Sequence, residues 1–267
     1  MTPPAPRDAA SPLERYVIPN LRNACRIMKL LAEKTDGLKA AEIARRLGIP
    51  VTTTLRIMAT LQLEGYARKQ EGRFELGPVL IHLGNASLAG TEIRTAALPV
   101  LQSLTARTDE TSHLAVPCDD RSLIVAVQDS PHPLRAASRP GFLAELHCSS
   151  TGKTFLAFLH YDRLARLYAK ARLTRRTAHT RTTLAEIQKE IELTRKRGFA
   201  VDDEEFNLGV RCLAAPVYSS DGTVVAAIGI TAASVRFTRE RIPEFAVAVR
   251  SSADELSGHL GFSGRAE

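Results

Sequence analysis

Residues 37–77 read GLKAAEIARRLGIPVTTTLRIMATLQLEGYARKQEGRFELG, with two helical patterns and a basic hairpin in succession. Ala41, Ala44 and Leu47 recur at helical spacing, which predicts a helix over about 40–47 with those residues on its buried face. Gly48 supplies the left-handed backbone that ends a helix, and Pro50 prevents its continuation. A second helix is expected to start at the threonine run 52–54, whose hydroxyls suit a helix N-terminus. Thr54, Ile57, Met58 and Leu61 give it a buried stripe, and Gly65 closes it. Residues 66–69 and 73–76 then read as two strands around a tight turn at Glu71-Gly72. Helix, glycine turn, helix and basic hairpin in this order make a winged helix-turn-helix, a unit that sets a helix N-terminus and a hairpin against DNA.

The residue types suit that task. Threonine hydroxyls meet phosphates or base edges, and an arginine reaches a guanine through two hydrogen bonds. Thr52, Thr53, Thr54 and Arg56 are therefore the candidate DNA-reading residues of the second helix. Arg68, Lys69 and Arg73 on the hairpin suit phosphate contact, which gives affinity and orientation rather than sequence choice. The competing reading is an ordinary helical hairpin with a solvated basic face.

The charge distribution supports the DNA reading. Of 36 Lys/Arg and 29 Asp/Glu in 267 residues, the first 90 residues hold 13 and 8, so most of the net +7 lies with the proposed reader. A hydrophobic content of 44% supports real cores and excludes a disordered chain. Cysteines stand far apart at 25, 118, 148 and 212 without a CxxC pair, which argues against a zinc finger or a disulfide framework and fits a reducing compartment. The opening MTPPAPRDAASPLERY lacks an apolar core, so it is expected to be a flexible tail (1–15) rather than a signal peptide. With no apolar run of membrane-spanning length, a cytoplasmic protein is expected, with no membrane partner.

A periodic helix is expected over 21–33, with Leu21, Ala24, Ile27, Met28 and Leu31 on one side. The DNA-binding domain is placed at 16–77, a connecting helix at 78–90 and a second domain at 91–262. That second part should be α+β. A helix over 91–107 is bent at Pro99, and strands run over 111–116, 122–128 and 134–137. Helices follow at 152–160, 162–169 and 184–196, then a hairpin of 213–218 and 223–231, and a last helix near 238–260. An antiparallel sheet with helices packed on it accounts for this order.

Three clusters invite chemistry. Gly152-Lys153-Thr154 imitates the end of a phosphate-binding loop, but His147 stands where that loop needs glycine. Ser150-Thr151-Gly152-Lys153 fits S-x-x-K, with no S-D-N or K-T-G element after it. A helix N-terminus that binds a small anion, or a plain N-cap, explains the stretch without catalysis. The acids 202–205 read as a solvated loop or, alternatively, as an acid–base pair. Cys212 is either a nucleophile paired with His113 or His147, or a small buried filler. A zinc set of His113, His147, Cys148 and Cys212 has no directed spacing, and no metal, cofactor or catalytic residue is assigned. An enzyme using the 149–154 turn or the 202–212 block is the alternative function.

Three separated blocks then carry a resemblance: LGIPVTTTLRIMATLQLEGYARKQEGRFELG, SSTGKTFLA and GFAVDDEEFNLGVRCLAAPVYSSDGTVVAAIGI. Over about residues 20–260 the chain resembles the isocitrate lyase regulator (IclR-type) transcription factors. The resemblance implies a winged helix-turn-helix, a linker helix and a GAF-like effector-binding domain with an antiparallel sheet. It implies a double-stranded DNA operator as partner, and homodimers that associate further, to tetramers, on DNA. It also implies control of catabolic genes by a small organic acid or aromatic metabolite, repression being favoured over activation. The effector residues it implies are Thr151, Gly152, Asp202, Cys212 and Thr231. Gly229 falls where the family carries a hydroxyl, so the pocket should be larger or less polar on that side. Val51 and Leu55 also depart from the family's recognition helix, so base preference does not transfer.

Overall fold

The computed structural model describes residues 14–34, 36–89, 92–136, 138–168 and 173–264. The expected tail falls almost wholly outside them, as do Gly90 at the expected domain boundary, Ala137 and Ala169. The chain divides into two compact units, 1–90 and 91–267.

In the first unit, α1 (Pro19–Ala32), α2 (Ala40–Leu47) and α3 (Val51–Leu63) precede β1 (Ala67–Gln70), β2 (Arg73–Leu76) and α4 (Val79–Ala89). Ile27, Leu31, Ile43, Met58, Leu61 and Phe74 form its core. The buried face of α2 is not the expected one. Ile43 and Ala44 are buried and Ala41 is exposed, because the larger Ile43 sets the rotation of the helix. Leu21 is likewise exposed rather than part of the α1 stripe. The start of α3 also differs from expectation. Pro50, in extended backbone, occupies the N-cap position with no side-chain cap, so the threonines lie inside the first turn. Glu71 and Gly72 both take positive φ, the backbone that a two-residue hairpin turn needs, and β1 pairs with β2 from Ala67↔Leu76 to Gln70↔Arg73.

The second unit comprises α5 (Glu92–Thr108), β3 (Thr111–Cys118), β4 (Arg121–Gln128), β5 (Leu143–Glu145), α6 (Ser150–Phe158) and α7 (Leu164–Tyr168). Next come α8 (Leu184–Arg197), β6 (Ala200–Asp203), β7 (Val210–Tyr218), β8 (Val224–Ala233) and α9 (Ile242–His259). The six strands form one antiparallel sheet in the order β5-β4-β3-β8-β7-β6. Ala115, Ile124 and Ala227 belong to the core under α6 and α8. Alternation along the strands sends Leu114 and Ile228 to the other face, where α5 and α9 pack together on the sheet.

The pattern predicts one strand that does not form and misses two that do, β5 and β6. No strand forms at 134–136, where Leu134 is exposed and Pro131 and Pro133 lack ladder donors; the edge strand is instead β5, paired to Arg121–Leu123. Conversely, Asp202 and Asp203, the first two of the acids read as a solvated loop, are the last two residues of strand β6, in register with β7 from Ala200↔Ala214 to Asp203↔Arg211.

Candidate DNA face and effector cavity

On α3, Val51, Thr52, Leu55 and Arg56 are exposed, and Thr53 is half-buried. Thr54 does not belong with them. It is 0% exposed and its hydroxyl donates to Pro50 O at 3.1 Å, so it serves the core beside Ile57 and Met58. The wing cations are differently placed. Arg68 is exposed but clamps Glu75 through two hydrogen bonds of 3.0 and 2.8 Å. Arg73 is half-buried, donates to Gly37 O at 3.0 Å and stands 3.6 Å from Glu42. Lys69 is exposed, with its ammonium 5.4 Å from the Phe74 ring centroid. Arg45 and Arg46, exposed in the last turn of α2, are further cations of this unit; in the sequence they read equally as helix-dipole partners.

In the second unit a cavity of about 220 Å³ lies between the start of α6 and the sheet. Thr151, Asp202, Cys212 and Thr231 all line it. Asp202, Cys212 and Thr231 are neighbours across β6, β7 and β8, which is why residues distant in sequence share one wall. Ile124, Phe142, Phe206 and Val210 give the cavity an apolar side. Phe142 and Phe206 meet edge to face, with ring centroids 5.8 Å apart. Arg176 covers Phe206 from outside, 3.9 Å above the ring centroid, and is tied to Glu145 at 2.8 Å.

Gly152 and Gly229 do not line the cavity. Gly152 lets α6 start hard against the preceding chain, since a Cβ there would stand 2.4 Å from Leu146 Cα. Its amide donates to Ser149 Oγ at 3.1 Å, the N-cap bond of α6. Helix geometry leaves the amides of Ser150 and Thr151 without intrahelical acceptors at the cavity wall. A Cβ at Gly229 would stand 2.2 Å from Leu213 O, so glycine there serves close strand approach. The expected loss of polarity on that side is not found. His113, which pairs across the sheet with Gly229, lines the cavity with its Nδ1 3.3 Å from Thr231 Oγ1.

Burial pushes the Asp202 carboxyl up to about 7, with Lys153 pulling the other way. Its Oδ1 accepts the amides of Glu205 at 2.8 Å and Phe206 at 3.1 Å. Burial and the neighbouring Asp202 raise the Cys212 thiol well above its ordinary range, which disfavours the thiolate a nucleophile requires. Burial lowers His113 to about 4, so the imidazole is neutral near pH 7.

The S-x-x-K and phosphate-loop readings are overturned by where Lys153 points. This 1%-exposed lysine crosses to β6, where its Nζ donates to Val201 O and meets Glu205 Oε1 at 2.5 Å. Glu190 lies 3.9 Å away. Arg181 joins the same group, 2.5 Å from Glu205 and 3.1 Å from Glu190, and Arg197 reaches Glu190 at 2.8 Å. The acids 202–205 thus have separate structural tasks. Asp203, which burial alone would raise, is held low by Arg211 at 2.6 Å and Arg239 at 2.8 Å. Glu204 accepts the Gly209 amide at 2.8 Å. His147 is occupied with Thr174 O at 3.0 Å, and among the described residues no three His, Cys, Asp or Glu gather into a metal-holding group.

Residues 85–258 match the family described as bacterial transcriptional regulator IclR, C-terminal, and residues 21–71 match the IclR helix-turn-helix domain. The transcriptional repressor IclR of Escherichia coli (strain K12) is 29% identical over 244 residues, spanning 90% of this chain and 89% of its own. The HTH-type transcriptional regulator BhcR of Paracoccus denitrificans (strain Pd 1222) is 32% identical over 239 residues, spanning 89% and 85%. Among solved structures, an IclR transcriptional regulator from Alicyclobacillus acidocaldarius superposes with a TM-score of 0.78 at 26% identity, over 91% of this chain and 99% of its own. An IclR homologue from Microbacterium hydrocarbonoxydans, complexed with 4-hydroxybenzoate, shares the fold with a TM-score of 0.73 at 21% identity, over 90% and 98%. These relatives are DNA-binding transcriptional regulators, and the enzymatic alternative finds no support among them. On the family match over most of its length, the chain belongs to the IclR family of bacterial transcriptional regulators.

Proposed function

We propose that this regulator senses a small organic acid, aliphatic or aromatic, in the cavity beside α6 and so controls catabolic genes, as a repressor. The observation that carries this reading is the make-up of the cavity wall. The first amides of α6 offer partial positive charge, a polar row lines the sheet side, and an aromatic pair lies among the apolar residues of the remaining wall. An acid with a flat or short apolar body complements such a wall. The 4-hydroxybenzoate held by a fold relative is a ligand of this kind. Effector binding would bias the geometry in which two DNA-binding units grip an operator, which requires the ligand to prefer one state. Tyr16, Ile18, Leu21 and Ile81 are exposed apolar side chains of the first unit and favour a homodimer there, with tetramers on DNA. No helix among the described residues is long and apolar enough to cross a membrane, which suits a cytoplasmic regulator.

The test is a thermal-shift panel of carboxylates, followed by operator titration with those that bind. An acid that raises the melting temperature and changes operator affinity supports the reading. An enzyme-like turnover of the acid, or stabilisation with no change at the operator, contradicts it.

On the DNA side, Thr52, Thr53, Arg56, Arg68, Lys69 and Arg73 are proposed contacts, with Arg56 the base reader. Arg56→Ala should cost about 1–3 kcal/mol of discrimination between the operator and single-base variants. Equal weakening on every sequence, with a salt slope reduced by about one, would instead make Arg56 a phosphate contact.

A further inference from the structure

His113 lies in the cavity wall with one ring nitrogen already engaged. Its Nδ1 is 3.3 Å from Thr231 Oγ1, and it is 3% exposed. The direction of that hydrogen bond follows from the neighbours. Thr231 has a single hydroxyl proton, and it donates to Cys212 Sγ at 3.4 Å. Cys212 in turn pairs across the sheet with Asp202. With its proton given to sulfur, Thr231 Oγ1 can only accept from the histidine and from Ser138 Oγ at 3.4 Å. Of the two tautomers the Nδ1–Thr231 contact allows, this pattern matches the one with the proton on Nδ1 and Nε2 as the acceptor. Loss of neutrality does not upset this arrangement near pH 7, because burial keeps the ring's pKa near 4.

Resting on the reading that an acid occupies this cavity, we propose that His113 is a specificity-determining residue that selects effectors carrying a hydroxyl (or another neutral N–H or O–H donor) besides the carboxylate. The carboxylate is held at the first turn of α6, where Ser150 and Thr151 line the cavity and the first helix amides have no intrahelical acceptor. The second group donates to His113 Nε2. A second carboxylate is disfavoured at that end, because it would be an acceptor facing an acceptor with Asp202 on the same wall. The effector class is thus a hydroxylated monocarboxylic acid, not an unsubstituted acid and not a dicarboxylate.

The experiment measures dissociation constants by calorimetry for benzoate, the meta- and para-hydroxybenzoates and the matching fluorobenzoates, which keep the shape but lose the donor. Lactate and propionate form the aliphatic pair, and the dicarboxylates phthalate and terephthalate complete the panel. Wild-type protein should favour the hydroxy acid of at least one pair roughly 3–10-fold, the range of one net neutral hydrogen bond. His113→Leu should bring that ratio to within about twofold. His113→Gln, whose side-chain oxygen is an acceptor of similar reach, should restore most of it. Equal affinities within every pair, or a preference that survives His113→Leu, would overturn the assignment while leaving the acid-binding cavity in place. If none of these acids binds or shifts the melting temperature, the assignment is lost together with the reading it rests on.

Discussion

Replacing Lys153 by methionine will destabilise the second unit by about 3–5 kcal/mol, the loss typical of removing one partner from a buried ion pair. The length of the side chain is kept and only the charged end is lost. Glu205 and Glu190 would then face Arg181 and Arg197 with one cation fewer, and Glu205 Oε2 is already buried without a partner among the described residues. For a unit of this size the melting temperature should fall by roughly 10 °C, read by scanning calorimetry. The effect should extend to the cavity, because the 202–206 turn is fixed from both sides. Lys153 holds Val201 O and Glu205, while the Thr177 and Thr180 hydroxyls each donate 2.7 Å bonds to carbonyls at Glu204 and Glu205. Lys153→Met/Glu205→Gln should recover part of the loss, since the two positions share one interaction. A single variant within about 1 kcal/mol of wild type would show that the network is dispensable.

Asp202→Asn will change how stability depends on pH. In the unfolded chain this carboxyl titrates near 3.8, and in the fold near 7. Between those values the folded state binds more protons, so the stability that the neutral carboxyl contributes is complete below 3.8 and is lost as pH rises through 7. The whole span is on the order of 4 kcal/mol. Asparagine keeps an oxygen for the Glu205 and Phe206 amides and does not ionise. The variant's advantage over wild type should therefore grow from pH 5 to pH 8, measured by urea denaturation at each pH. A difference that stays constant over this range would mean that Asp202 is ionised throughout. The same titration would weaken the binding of an anionic effector to wild type above pH 7, and Asp202→Asn should flatten that decline.

The winged helix-turn-helix was legible because its signals are local. Gly48 ends α2 with a φ of +66°, Pro50 sits at the α3 boundary, and the Ile57, Met58 and Leu61 stripe is buried as the periodicity implies. The face of α2 was misjudged by one residue because alanine spacing carries less information than one isoleucine. The cavity was legible only through the three family-like blocks. Its polar row combines residues from three strands whose pairing no local pattern reveals. His113 was visible only as a histidine of uncertain use. Phe142 lies outside all three blocks, and Phe206 inside the last one had no role attached. The ion network was hidden for a similar reason: Lys153 and Glu205 are 52 residues apart, and the lysine's position in S-x-x-K suggested catalysis rather than a strut.

In the proposed function, an acid held in the second unit governs how the first unit grips DNA. This coupling is measured by fluorescence anisotropy on the chain's own upstream DNA, with and without an acid that raises the melting temperature. Operator affinity should change several-fold at saturating acid, and the acid should bind more weakly or more tightly by the same factor when operator is present. Tight acid binding with operator affinity unchanged at every salt concentration would contradict it.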